Sequence, residues 1–477
     1  MLNFIENILC HFESCFSRKA AFRWFVTITI GLMLRSDKLG VTSVIRDLAL
    51  DPGCYDSMLH FFRASSWSLE NIRERWFSAV SLYAPLYKEG NYHVLVGDGV
   101  KQSKEGRRMP GVKKLFQESE NSAKPQYIHG HMFGGLGILA GSVRNWACIP
   151  LSIRLHDGLQ AAMEWKGASV SAASHVVQMV EDAYHAALTF GDSLLLLDRY
   201  FLTVPALEKL RALNTSGNVR MEIITKAKKS CTAFEKTGPR RPGRGRPPKK
   251  GAAVHLKELF ISHKDQFQEA EMELYGKRES IRYYCIDLLW GQKLYQELRF
   301  VLVEMNGVQS ILASTSLALD PLSVIRLYSY RFRIECTFRE LKQQIGAFCY
   351  HFWSKYMPKL SYYQKRGKPT PLERVKDEKS RGKILEAVRA IEMHMVLSCI
   401  AMGILQSLSI RFIGKVSSIQ IRYQRTPSKG RVSEATLMHY FRKHFFRLLG
   451  QKPNLRITQI IHGLQKEPEE QWDFLAS

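Results

Sequence analysis

The pattern of apolar and polar positions changes period along the chain. Through the first ninety residues it is helical. Val44 and Leu48 precede a turn at Asp51–Gly53, and a second amphipathic pattern runs Tyr55–Arg63. Ser68 then stands where it caps a third helix, with Leu69, Ile72 and Trp76 on one face. From Tyr92 the period shortens. His93–Gly99 (HVLVGDG) is a β-branched run, and strands are predicted at Tyr127–Leu139 and Cys148–Leu155, followed by a helix over Ser169–Leu188. Leu194–Leu197 is an unbroken apolar run, the pattern of a strand buried on both faces. Thr203–Leu213 reads as a helix and Val219–Thr225 as a strand, with two further strand-like runs at Ile281–Trp290 and Leu294–Val303. Helical period returns at Leu327–Gln344, at Lys383–Leu408, and after a capping Ser433, where Leu437, Tyr440, Phe441, His444 and Phe445 recur. The chain is thus α/β. Trp24–Leu34 is too short to span a bilayer, and Gln406 and several serines interrupt Met395–Ile410, so both read as buried helices. His394, on the second of them, is most simply a packed histidine.

Composition narrows the partner. Across 477 residues, 69 Lys and Arg face 44 acidic residues, a net charge of +25. An excess of that size implies a polyanion, nucleic acid first and a membrane surface second. The nine cysteines form no C-x2-C pair and no zinc spacing, as expected of thiols in a reducing cytosol. The opening MLNFIENILCHFESCF has no charged segment ahead of an apolar run, so a cytoplasmic protein is expected.

Candidate chemistry lies in the helix over Leu327–Gln344. Tyr328, Arg331, Glu335 and Lys342 fall at offsets that share an arc of roughly 60° along about 21 Å of one face. A solvated face laced with ion pairs accounts for such a stripe equally well. The apolar neighbours Leu327, Phe332, Ile334, Phe338, Leu341 and Ile345 show that the helix packs, and one carboxylate flanked by cations suits a divalent metal beside phosphate. Upstream, two aspartates follow apolar runs. Asp98 precedes Gly99, which also reads as a hairpin turn, but the next residues (VKQSKEGRRMPGVKK) show no alternating partner strand. Asp198 ends the Leu194–Leu197 run, at the strand end where open α/β sheets place ligands; a capping or turn aspartate is the alternative.

The spacing Y-x2-R-x3-E-x6-K at Tyr328, Arg331, Glu335 and Lys342, with Asp98 and Asp198 upstream, resembles the DDE transposases of bacterial insertion sequences, in the group named for those four letters. The resemblance extends over roughly Tyr92 to Ile410. It implies a ribonuclease H-like core with a β-rich insertion before the last catalytic helix, an N-terminal helical DNA-binding domain and a C-terminal helical module. The expected division is 1–90 helical and DNA-binding, 91–225 first part of the core, 226–319 basic linker and insertion, 320–410 second part of the core, and 411–477 basic helical module. It further implies that Asp98, Asp198 and Glu335 hold two Mg2+ ions, with Mn2+ able to substitute, because two divalent ions stabilise both the attacking and the leaving oxygen of a phosphodiester. Tyr328, Arg331 and Lys342 would grip phosphate, and the partners would be double-stranded DNA and, on that DNA, a second copy of the chain.

The insertion begins with KTGPRRPGRGRPPKKG, which contains Arg244-Gly245-Arg246-Pro247. An extended R-G-R suits the narrow minor groove of A·T DNA; a basic linker or plain phosphate grip is the other reading. Trp290, at an expected turn, is a candidate for stacking an unpaired base, as relatives that form a hairpin intermediate do, although a core tryptophan is the commoner fate. Two competing functions remain: a non-catalytic DNA-binding regulator derived from a transposase, and a structure-selective nuclease on the same core.

Overall fold

The computed structural model describes residues 1–38, 40–117, 123, 125–142, 145–159, 162, 165, 174–238, 248–361, 371–416 and 431–465. Five helices come first: α1 (Leu2–Cys10), α2 (Lys19–Leu34), α3 (Thr42–Asp47), α4 (Cys54–Phe61) and α5 (Leu69–Tyr83). The Ser68 hydroxyl accepts from the Asn71 amide and so caps α5, whose Leu69, Ile72 and Trp76 are buried. Strands β1 (Lys88–Glu89), β2 (Tyr92–Ser103), β3 (Lys113–Phe116), β4 (Tyr127–Ala140) and β5 (Ala147–Leu155) follow. After them come α6 (His175–Phe190), β6 (Ser193–Leu196), α7 (Val204–Ser216) and β7 (Met221–Ala227).

These strands lie in the order β5-β4-β2-β6-β7, with β4 antiparallel to β2, and β6 and β7 parallel to it. The result is a large mixed sheet covered by helices, compatible with a ribonuclease H-like core. β2 runs on past the expected stop at Gly99. Val100–Ser103 keep pairing with β4, so Asp98 lies inside the strand rather than at its end. The polar KQS side chains concealed that continuation, because this part of β2 extends beyond the end of β6 and is less covered.

The segment after β7 adds β8 (Thr232–Phe234), β9 (Ala253–His255), the short α8 (Leu259–Ser262), β10 (Gln268–Leu274), β11 (Lys277–Trp290), β12 (Gln296–Met305) and β13 (Val308–Ser314). It does not stand apart. β13 pairs antiparallel with β7, and β12, β11, β8 and β9 continue the same sheet, giving thirteen strands among the described residues. A small second core forms under this extension, around Leu288, Leu298, Phe300 and Leu302.

Helices α9 (Pro321–Tyr330), α10 (Phe332–Glu340), α11 (Glu378–Arg411), α12 (Glu434–Gly450) and α13 (Arg456–His462) complete the chain. α11 is long and apolar enough to cross a membrane, yet 94% of its apolar window is buried inside the fold against β5, α2 and α5. The N-terminal helices, the sheet and the last helices share one continuous hydrophobic core. His394 is fully buried within it, in contact with the rings of Phe62, Tyr350 and Phe352.

Candidate active site

Strand register decides which side chains meet. Val96 pairs with Leu196 and Leu196 with Ile224, so the even-numbered residues of β2, β6 and β7 share one face. Asp98, Asp198 and Lys226 therefore emerge on the same side, where β6 and β7 end and β2 runs on. The Thr225 hydroxyl ties Asp198 to β7, donating to its carbonyl at 2.6 Å. The Asp198 carboxylate accepts from the Tyr200 amide at 2.9 Å. Helix α10 crosses this face very closely. A Cβ on Gly135, the β4 partner of Asp98, would sit 2.5 Å from the Phe338 ring, so only glycine permits the approach.

The Leu327–Gln344 stretch is helical throughout but is not one regular helix. The Ser329 hydroxyl donates back to the Arg326 carbonyl at 2.6 Å, competing with the backbone ladder. At the next turn the bonds tighten, Arg331 N–H to the Tyr328 carbonyl at 3.1 Å and Ile334 N–H to the Arg331 carbonyl at 3.3 Å. Arg331 is the joint between α9 and α10. Leu341–Ile345 then widens into a π turn that carries Lys342, closed by Gly346 in the left-handed region (φ 65°).

At that joint Arg331 turns into the site. Its Nη1 donates to Asp98 Oδ2 at 3.2 Å and its Nη2 to Glu335 Oε1. Asp98 Oδ1 accepts from the Gly99 amide at 2.7 Å. Burial, aided by the charges of Asp198 and Glu335 and opposed by Arg331, pushes the Asp98 carboxyl up to about 6. Burial works against the Arg331 charge too, but Asp98, Tyr328 and Glu335 together hold its pKa above the usual value. The mostly buried Tyr328 hydroxyl is pushed up to about 12, again by burial first, so it stays a hydrogen-bond donor. Glu335 keeps its side chain 43% exposed. Lys342 is exposed, with its Nζ 5.5 Å from the Phe348 ring centre.

A cation and a tyrosine that the sequence reading left out lie near the same face. Lys226 is half-buried and makes no ion pair among the described residues; burial lowers its pKa, and Arg199, Lys229 and Arg331 lower it further. Its signal was the switch from MEIIT to KAKK at the carboxyl end of a strand. Tyr275 sits at the β10–β11 turn with φ 53° followed by Gly276 at φ 78°, 61% exposed, and in electrostatic range of Arg331 and Glu335. Tyr-Gly between two polar strands was the cue for that hairpin. Trp290, in contrast, ends β11. Its indole N–H donates to Cys231 Sγ at 3.1 Å and its ring packs on the second core. Arg244 and Arg246 lie outside the described residues.

Among the described residues, no three His, Cys, Asp or Glu side chains are drawn together tightly enough to ligate one ion. The donor set nevertheless fits a hard divalent cation. All three groups are carboxylates, and burial, with Asp198 and Glu335 nearby, holds the Asp98 carboxyl above its usual value despite Arg331.

No curated protein and no solved structure shows a match to the chain. The match that is found covers residues 11–278, more than half of the chain, and takes in Asp98 and Asp198 while stopping short of Glu335. DDE endonucleases generally use divalent metals and act on DNA, and a mixed sheet bearing two aspartates on one face agrees with that. The chain belongs to the DDE superfamily endonuclease family.

Proposed function

We propose that this DDE endonuclease is a transposase, which binds the inverted-repeat ends of its own element, cuts beside them and joins the freed 3′-hydroxyls to target DNA. The observation that carries the reading is the meeting of Asp98, Asp198 and Glu335 with Tyr328 and Arg331 on one face of the sheet. A pure DNA binder has no use for three carboxylates gathered on one face, so the regulator reading is the weaker. Asp98, Asp198 and Glu335 would hold two Mg2+ ions, or Mn2+ in their place. Bound there, such ions supply positive charge for the attacking and leaving oxygens.

The chain's own part is positioning. Arg331 exchanges its carboxylate partners for non-bridging phosphate oxygens, its planar fork suiting both. Tyr328 donates to a neighbouring phosphate oxygen, and Lys342 and Lys226 fix the backbone on either side. Arg244 and Arg246 hold flanking duplex, with the helical segments 1–90 and 411–477 adding further DNA contacts. Strand exchange at two ends calls for a dimer assembled on DNA, in the cytoplasm beside the nucleoid.

Glu335→Gln is the test, since it keeps size but removes charge. Cleavage of end-containing duplex in Mg2+ should be lost, and binding by gel shift in Ca2+ should persist or tighten. A folded Glu335→Gln protein that cuts at the wild-type rate would overturn the enzyme reading.

A further inference from the structure

Beyond the carboxylate face, β2 and β4 continue as an arm of the sheet past the ends of β6 and β5. β2 pairs with β4 as far as Ser103 opposite Gly130, and β3 then takes over the other edge of β4, out to Phe116 opposite Tyr127. Asp98 is paired with Gly135, so Phe116 and Tyr127 lie eight residues farther out, about 26 Å at ~3.3 Å per residue. Alternation along β4 puts Tyr127 on the same face as Gly135, and hence on the face of the carboxylates. The arm is not free to wander. Its root is pinned to the segment that follows the Glu335 helix. Lys104 Nζ donates to the Phe348 and Tyr350 carbonyls at 2.5 and 3.1 Å, His131 Nδ1 lies 2.6 Å from the Tyr350 hydroxyl, and Arg108 donates to the Lys355 carbonyl at 2.6 Å.

The tip has an unusual surface. Phe116 and Tyr127 are 44% and 49% exposed, meet edge to face at 5.3 Å, and carry the Lys114 ammonium 4.4 Å over the tyrosine ring. An edge strand uses lysines to discourage pairing with other chains. It has no use for two exposed rings. Apolar rings beside cations match the deoxyribose-phosphate backbone, whose sugars present C–H groups and whose phosphates present charge.

We propose that this tip is a second DNA contact, gripping the duplex backbone about eight base pairs from the phosphodiester held at the carboxylates, given ~3.4 Å per base pair. The proposal rests on the DNA-cutting reading above for its register but not for its existence. The chemistry is sequence-independent, so the contact sets how much flanking duplex a substrate needs rather than which bases it carries.

Two measurements on the full-length protein test it. The first is fluorescence anisotropy in Ca2+ with a random-sequence duplex of about 30 base pairs. The double variant Phe116→Ala/Tyr127→Ala should bind about tenfold more weakly, and Lys114→Ala should reduce the salt slope by about one. Because the rings also brace the hairpin, Lys114→Glu, which keeps them, should weaken binding too; wild-type affinity in both Lys114→Glu and a folded double variant overturns the proposal. The second uses Mn2+-dependent cleavage of duplexes truncated about five or about fifteen base pairs from the cut, on each side in turn. The deficit of the double variant should be large on the long arm and shrink on the short one. An equal deficit on both would place the rings elsewhere than eight base pairs away. If the wild type cuts no DNA, the transposase reading fails while the anisotropy comparison still decides whether the arm binds DNA.

Discussion

Two clusters of arginine and carboxylate in this molecule have opposite charge balance. Beside β5, Arg154 and His156 pair with Asp182, the latter at 2.8 Å, while Arg73 pairs with Glu392 at 3.1 Å. Burial would raise both carboxyl pKa values, but the cations outweigh it and both are held below the usual range. On the carboxylate face Arg331 serves both Asp98 and Glu335 with Asp198 close by, and burial holds Asp98 well above its usual value. In the first cluster each acid has its cation and both carboxylates are largely covered. In the second, one arginine is shared between two carboxylates. A cluster that only holds the fold together is expected to look like the first, and one that waits for metal and phosphate like the second.

The widest separation between the two should come from neutralising an acid in each. Glu392→Gln takes the close partner from the buried Arg73 and should cost about 3–5 kcal/mol of stability, seen as a large drop in melting temperature, with a smaller drop for Asp182→Asn, whose Arg154 is part-exposed. Glu335→Gln gives up a part-exposed ion pair with Arg331 while relieving repulsion with Asp98, so its stability should change by less than about 1 kcal/mol. Equal destabilisation in both would erase the distinction.

Metal should sharpen it. Mn2+ at 100 times its dissociation constant should stabilise the wild type by about 2.7 kcal/mol, with the rise in melting temperature lost in Asp98→Asn and kept in Asp182→Asn variants that fold. The pH dependence follows from the raised Asp98 pKa of about 6. Without metal, the protonated form is the one favoured by folding, so stability from this group is full below about pH 4 and lost as pH rises through 6. Metal needs the ionised form, so apparent affinity should fall by up to about tenfold per unit below pH 6. Titration calorimetry across pH 5 to 7 in steps of about half a unit reads the slope, and a flat profile would remove Asp98 from the metal set.

The smallest expected effect concerns Lys226. Lys226→Ala should weaken DNA binding several-fold and reduce the salt slope by about one, with melting temperature almost unchanged because the side chain has no ion partner to abandon among the described residues. An unchanged slope would make it a bystander at the sheet edge.

Much of this site was legible from residue spacing. Asp98 and Asp198 follow β-branched or leucine runs, and Glu335 lies on a packed helix; each signal is local. What escaped depended on register or on long-range pairing. Lys226 reaches the site only because β7 lies alongside β6, and Tyr275 only because the β10–β11 hairpin folds back over α9. The helix joint at Arg331 escaped as well, since helical period survives a single tightened turn. The insertion was legible as β-rich, but its place at the edge of β7 was not, because strand order is not written in hydrophobic alternation.

That edge pairing has a consequence for anyone who would shorten this protein. Residues 228–314 look like a removable module, since they interrupt a simpler core. Excising them would leave β7 with a bare row of amide and carbonyl groups, facing water where β13 now pairs at Ile224 to Ala227. An exposed, apolar, central-type strand of that kind recruits other chains. A trimmed variant is therefore expected to aggregate through β7 before its catalysis can be assayed, unless a replacement strand caps the seam.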